Sequence, residues 1–215
     1  MKKRISKRQP LNSATIALEA LAIADAQGLE KLSFRTLAQK LKCEAMSLYH
    51  YFPSKAHLMD AMTNICLAEI EFPDSQRPWQ ERMRELGWNY RKMALRHPGF
   101  YPFLAVYRMN SLEGLNVLNQ VLDVFEATGL DVEMRARQFR IFGYFLVGNC
   151  LDETIGYAKG PSAAEPVPNE LAAQKFPAIM VVGRFFSPAH HARTFEVGLE
   201  AMISEIERLV ALPEK

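Results

Sequence analysis

The sequence predicts an all-α protein. Three observations carry this: apolar residues recur at helical spacing along most of the 215 residues, Pro and Gly cluster at the breaks, and no stretch alternates with period two long enough to make a strand. The first helix is expected over 12–27, with Ile16, Ala20, Ile23 and Ala24 on one stripe, Asn12 or Ser13 as its cap and Gly28 as its end. A second, over 34–41, is capped by Ser33 and turns Phe34, Leu37, Ala38 and Leu41 to one side. A tight turn around Lys42 to Glu44 leads to a third over 45–51, which Pro53 stops because proline cannot continue the backbone ladder. Ser54 caps a fourth, running to about Glu71.

Pro73 and Pro78 bracket a turn-rich stretch, FPDSQRP, beyond which the helices lengthen. They are expected over 78–97, 99–108, 111–128, 131–158, 169–186 and 189–211, with breaks at His97-Pro98-Gly99, Met109-Asn110-Ser111 and Thr128-Gly129-Leu130-Asp131. The segment KGPSAAEPVPNE, 159–170, holds three prolines and reads as a mobile surface loop. Two domains are therefore expected: residues 1–60, short helices behind a basic arm, and residues 61–215, a larger helical bundle.

Hydrophobic residues make up 49% and charged residues 23%, an ordinary soluble composition that can bury a core without staples. Cys43, Cys66 and Cys150 are scattered with no C-x-x-C pair, which argues against a disulfide scaffold and a thiolate zinc cluster and suits a reducing cytoplasm. The opening MKKRISKRQP is basic but no apolar run follows, so no secretory leader is expected. The longest mostly apolar run, Ile141 to Leu151, is far short of the roughly 20 residues that cross a bilayer, so no membrane partner is expected. The net charge of +2 is uneven: residues 1–60 carry ten Lys and Arg against five Asp and Glu, and the remainder is slightly acidic. That end either meets a polyanion or is simply a solvated terminus.

The second and third helices are short and about four residues apart, the spacing of a helix-turn-helix. Leu48 and Phe52, four apart, would point inward, leaving Ser47, Tyr49, His50 and Tyr51 outward. Arg35 and Lys55 start the second and fourth helices and can reach phosphates, helped by helix N-termini at Ser33 and Ser54. Lys2, Lys3, Arg4, Lys7 and Arg8 form an arm able to follow a backbone or enter a minor groove. The plainer readings are that Tyr49 is core, His50 a solvated histidine and Met46 a packing residue.

The run SFRTLAQKLKCEAMSLYHYFPSKAHLMDAM resembles the DNA-binding signature of TetR-type transcriptional repressors at Arg35, Leu37, Ala38, Leu41, Leu48, Tyr49, Phe52, Lys55 and Leu58. The resemblance covers about residues 11–62. Lys42 stands where that signature usually has Gly, and Tyr51 where His is commoner. The resemblance implies that Arg35 and Lys55 clamp phosphates, that Ala45, Met46 and Ser47 lie at the base-reading start of the third helix, and that Tyr49, His50 and Tyr51 face phosphate or bases. Ala45 and Met46 could make only apolar contacts there, for instance with a thymine methyl.

From about residue 73 the chain resembles, more loosely, the ligand-binding and dimerisation body of the tetracycline-repressor branch, on the long eighth helix, the proline-rich loop, FPAIMVVGRFF and TFEVGLEAMISEIERL. This implies a homodimer in which the eighth and last helices of two subunits form a four-helix bundle. Phe195, Leu199, Met202 and Ile206 are spaced like a coiled-coil seam, and Gly198 would permit close approach; the other reading packs this stripe within its own subunit. Pocket candidates are Trp88, Phe100, Tyr101, Phe103, Tyr107, Phe142 and Phe145, with Asn149 and Glu153 as polar groups; the plain reading makes the aromatics core. That branch binds metal-bound tetracycline through a histidine near the start of the sixth helix. Here the stretch reads PGFYPFLAVY with His97 ahead of it, so a small apolar or aromatic effector is expected instead. His190 and His191, adjacent on a helix, point in different directions, and neither metal nor cofactor is expected.

No catalytic residue is expected. None of the five histidines has Glu or Asp three residues before it, and G-x-S-x-G, the P-loop and H-E-x-x-H are absent. The sequence thus reads as a ligand-responsive cytoplasmic repressor that binds a palindromic DNA operator as a homodimer. The alternative is an effector-independent DNA-binding regulator or activator; a helical-bundle enzyme is least expected.

Overall fold

A computed structural model describes residues 11–156 and 160–212. The arm residues Lys2, Lys3, Arg4, Lys7 and Arg8 lie outside the described residues, as do the last residues of the eighth predicted helix. The chain divides into two compact units, Met1–Glu69 and Ile70–Lys215. Among the described residues the regular structure is helical throughout.

The first unit is built on α1 (Ser13–Gln27), α2 (Phe34–Leu41), α3 (Ala45–Tyr49) and α4 (Lys55–Ala68). The Asn12 side chain caps α1 by accepting from the Thr15 N–H at 2.8 Å, and Gly28 ends it at φ 92°. A single 3₁₀ turn, Leu29–Lys31, leads to α2. There Ser33 and Thr36 form a capping box: Ser33 Oγ accepts from the Thr36 N–H at 3.1 Å and Thr36 Oγ1 from the Ser33 N–H at 2.9 Å. The helices close on one core made of Ile16, Ala20, Leu37, Leu48, Leu58 and Met62. Between α2 and α3, Lys42 takes the left-handed conformation, φ 57° and ψ 43°. A side chain there costs about 1–2 kcal/mol, and the turn recovers part of it by letting the Cys43 N–H donate to the Ala38 carbonyl at 3.0 Å. α3 is two residues shorter than expected: past Tyr49 the chain tightens, the Tyr51 N–H donating to the Leu48 carbonyl three residues back at 3.0 Å.

The second unit holds α5 (Trp79–Arg96), α6 (Tyr101–Leu104), α7 (Leu112–Glu126), α8 (Val132–Ile155), α9 (Asn169–Lys175), α10 (Pro177–Gly183) and α11 (Pro188–Val210). α5, α8 and α11 pack against one another, and α6 and α7 close on α8. Met83, Leu86, Phe100, Tyr101, Phe125, Phe142, Phe195 and Leu199 fill the interior. Two expectations change here. The sixth helix is a single turn rather than ten residues, because the Val106 and Tyr107 N–H groups tighten to i−3 carbonyls. The helix expected over 169–186 is two: Pro177 forces Phe176 to φ −133°, ψ 52°, outside helical space. Phe176, Ile179, Met180, Val181, Phe185 and Phe186 all lie exposed on this arm. No helix among the described residues is long and apolar enough to cross a membrane.

Candidate nucleic-acid interface and effector pocket

In the first unit, α3 is held from beneath and open from above. Leu48 and Phe52, at 0% and 5% exposure, anchor it in the core. Met46 at its start is 70% exposed, Ala45 and Ser47 are half-buried, and His50 is exposed. Tyr49 sits between the two readings made of it: its ring lies 4.5 Å from that of Phe34, yet the residue is 44% exposed. Tyr51 is fixed by its hydroxyl, which donates to the Leu11 carbonyl at 3.0 Å and so ties the residue that follows the basic arm to the end of α3.

Two helix N-termini are joined beside it. Lys55 Nζ donates to the Leu32 carbonyl at 2.9 Å, which brings the start of α4 to the residue ahead of the α2 cap. Arg35, in the first turn of α2, is exposed and its guanidinium has no partner among the described residues. The Ser54 side chain caps α4 and contacts His57 Nδ1 at 2.8 Å. Backbone N–H groups at both helix starts and two cations are thus presented together, an arrangement that suits anionic oxygens.

In the second unit the predicted pocket residues fall into separate groups. Trp88 and Phe145 flank Phe195, with ring centroids 5.0 and 5.3 Å from it. Phe100, Phe103 and Tyr107 form a second row, 5.4 and 5.6 Å apart in turn. Phe142 packs on Phe125 at 5.6 Å. Phe100, Tyr101 and Phe142 are fully buried. Asn149 donates to the Phe145 carbonyl at 2.9 Å within α8. A cleft of about 310 Å³ opens elsewhere, between α7 and α8, beside Leu122, Val132 and Arg135.

Glu153 belongs to a charged cluster the sequence reading did not assemble. Arg91 Nε and Nη2 grip its two oxygens at 2.7 and 2.5 Å, and His191 Nδ1 lies 3.7 Å from it. The Arg91 guanidinium also lies 5.4 Å from the Trp88 ring and 5.6 Å from the Phe195 ring, within range for cation–π attraction. Next to Arg91 on α5, the Tyr90 hydroxyl meets that of Tyr101 at 3.0 Å. Burial pushes Tyr90 up to about 12 and Tyr101 higher still, and it pushes the Cys150 thiol up to about 12, with Glu153 adding to the effect on Cys150. These groups stay neutral at ordinary pH and can offer hydrogen bonds inside an aromatic core. The missed signal was the Trp88–Arg91 spacing of one helical turn on α5, which places a cation beside aromatic residues. Among the described residues no cluster of three or more His, Cys, Asp or Glu could hold a metal.

The predicted seam residues divide as well. Phe195, Leu199 and Ile206 are fully buried against their own unit. Met202 is half-buried. A Cβ on Gly198 would strike the Phe145 ring. The large apolar residues left uncovered on these helices are Val132, Ile141, Tyr144 and Ile155 on α8 and Val197 and Val210 on α11.

A helix-turn-helix unit followed by a helical body defines a DNA-binding regulator. Residues 16–62 match the model for bacterial regulatory proteins of the tetR family, and residues 72–210 match the tetracyclin repressor-like C-terminal domain. The chain belongs to this family. It is 36% identical over 81 residues to the class E tetracycline repressor protein of Escherichia coli, covering 36% of this chain and 38% of that protein. Over 134 residues it is 31% identical to the transcriptional repressor DrrR1 of Streptomyces coeruleorubidus, covering 58% of this chain and 47% of that one. The chain thus spans less than half the length of these two curated relatives. The TetR family protein ActR of Streptomyces coelicolor, solved in complex with actinorhodin, superposes with a TM-score of 0.72 at 26% identity, over 95% of this chain and all of that one.

Proposed function

We propose that the protein is a ligand-responsive transcriptional repressor. The first unit reads the major groove of a palindromic operator through Ala45, Met46 and Ser47, with Tyr49, His50 and Tyr51 on the flanking backbone or bases and Arg35 and Lys55 on phosphates. The second unit pairs with a second copy and takes a small effector, apolar or aromatic, whose orientation is set by the polar groups around Arg91, Glu153 and Tyr90. Trp88, Phe145 and Phe195 supply its apolar wall. Bound effector favours an arrangement with the two reading heads at the wrong separation, and it must prefer that arrangement by a few kcal/mol to empty the operator. The protein works where its DNA is, in the cytoplasm.

One observation carries the reading: α3 is anchored by Leu48 and Phe52 while Met46 stands 70% exposed and Arg35, at the start of α2, is exposed too. The DrrR1 and class E relatives, named as repressors, support it, and a family member of like fold solved with actinorhodin supports the effector role. Selection from random duplexes tests it. A dyad-symmetric site should emerge, and Arg35→Ala and Lys55→Ala should each weaken binding across sequences and lower the salt slope by about one. No enrichment of any duplex at low salt, with the protein remaining a single chain, overturns the proposal.

A further inference from the structure

Arg82 sets a guanidinium into the second unit. It lies on the first turns of α5 at 7% exposure. Its Nε is enclosed without a hydrogen-bond partner, and no carboxylate pairs with its guanidinium among the described residues. A guanidinium keeps its charge at any pH a protein meets. A buried N–H left without an acceptor is uncommon in a folded protein and points to a partner supplied from outside.

The place has a shape. Arg82 lines a cleft of about 120 Å³ bounded by Phe72, Pro73 and Ser75 ahead of α5 and by Gln120, Asp123 and Val124 of α7. All of these residues belong to the second unit. The volume is well below the roughly 300 Å³ or more that holds a drug-sized ligand, so the aromatic effector does not fit it. It suits one compact acidic group on a short carbon chain. The planar fork of a guanidinium matches the two oxygens of a carboxylate. Phe72, Pro73 and Val124 offer apolar walls for a short chain, and Ser75 and Gln120 offer donors. The Asp123 carboxylate on the rim repels a dianion more than a monoanion. We propose that this cleft binds a short-chain monocarboxylate, held by the Arg82 guanidinium. The site is distinct from the aromatic cluster assigned to the effector, and neither reading depends on the other.

The test uses the full chain, ¹⁵N-labelled, titrated with sodium propionate, sodium phosphate or sodium chloride at matched ionic strength. The Arg82 Nε–H resonance is identified as the one missing from Arg82→Lys. Propionate should move it saturably and raise the melting midpoint, while phosphate and chloride do less. Arg82→Met should abolish the propionate-dependent rise in melting and melt no lower than the unmodified protein without propionate. Arg82→Lys, which keeps charge and bulk, should weaken binding at least about tenfold, and it serves as the binding variant if Arg82→Met does not fold. Asp123→Asn should tighten propionate binding. No saturable response to propionate overturns the proposal, and a stronger response to phosphate overturns the choice of carboxylate. Marked destabilisation by Asp123→Asn, with a shifted Arg82 Nε–H, shows that Asp123 is the partner and likewise overturns it.

Discussion

Replacing Gly198 asks whether this glycine serves its own chain or a second copy. An added Cβ would meet the Phe145 ring at Cε2 and lie 2.9 Å from Cζ, but 3.5 Å from Cδ2, an ordinary contact. The ring cannot swing away freely, because Phe195 stacks on it at 5.3 Å. Overpacking of this kind costs about 1–3 kcal/mol. Alanine also gains about 1 kcal/mol over glycine in a helix interior. The two terms leave Gly198→Ala destabilising by up to about 2 kcal/mol, or near neutral at the low end, so the single variant decides little. A double-mutant cycle separates them. Phe145→Leu removes Cε2 and Cζ, the atoms that collide, and in that background only the helical gain should remain. The coupling should be about 1–3 kcal/mol, read from urea unfolding of the four proteins at one concentration. Coupling below about 0.5 kcal/mol refutes the intrachain contact.

Three further outcomes follow from the same geometry. Lys42→Gly should stabilise the first unit by about 1 kcal/mol in denaturant, since it removes the left-handed strain of a side chain at φ 57°. Arg91→Met should cost about 2–4 kcal/mol of second-unit stability, because it leaves the 9%-exposed Glu153 carboxylate without its bidentate partner. Above pH 9.0 the second unit should lose stability: burial raises Cys150 from 9.0 and Tyr90 from 10.0 to about 12 each, so their neutral forms favour the fold in full below the unfolded values and that contribution fades as pH climbs toward about 12. A melting midpoint flat from pH 9 to 11 contradicts that assignment.

The first unit was nearly all legible in the sequence because its signals are local. Ser33 and Ser54 announce helix starts through their own hydrogen bonds, Gly28 and Pro53 announce ends, and Leu48 and Phe52 share a face by spacing alone. The second unit was legible in its helices but less so in its side-chain groupings. Phe195 and Leu199 carry a stripe that either an intrachain or an intersubunit face would satisfy, and only packing against Trp88 and Gly87 assigns them to their own unit. Arg91 and Glu153 are 62 residues apart, beyond the reach of any periodicity. The break at Phe176 was readable in principle from Pro177, but the apolar run through it masked the proline.

The brevity of α3 and the uncovered apolar surface of the second unit argue for one arrangement. A well-made base contact discriminates by about 1–3 kcal/mol, and α3 offers only Ala45, Met46 and Ser47 at its reading end. Specific sites generally exceed non-specific ones by about 4–10 kcal/mol, and a second copy of so short a helix on a twofold axis doubles what one supplies. Ile141, Tyr144 and Ile155 on α8, Val197 and Val210 on α11, and the segment from Phe176 to Phe186 all expose apolar groups. Exposed patches of this kind mark association sites. Tyr144, at the middle of α8, is 62% exposed. Tyr144→Glu should therefore leave the single chain folded, turn a concentration-dependent melting midpoint into a constant one, and weaken binding to a selected dyad far more than to a half-site. A Tyr144→Glu protein that sediments as before and keeps its preference for the dyad would show that this face is not where two copies meet.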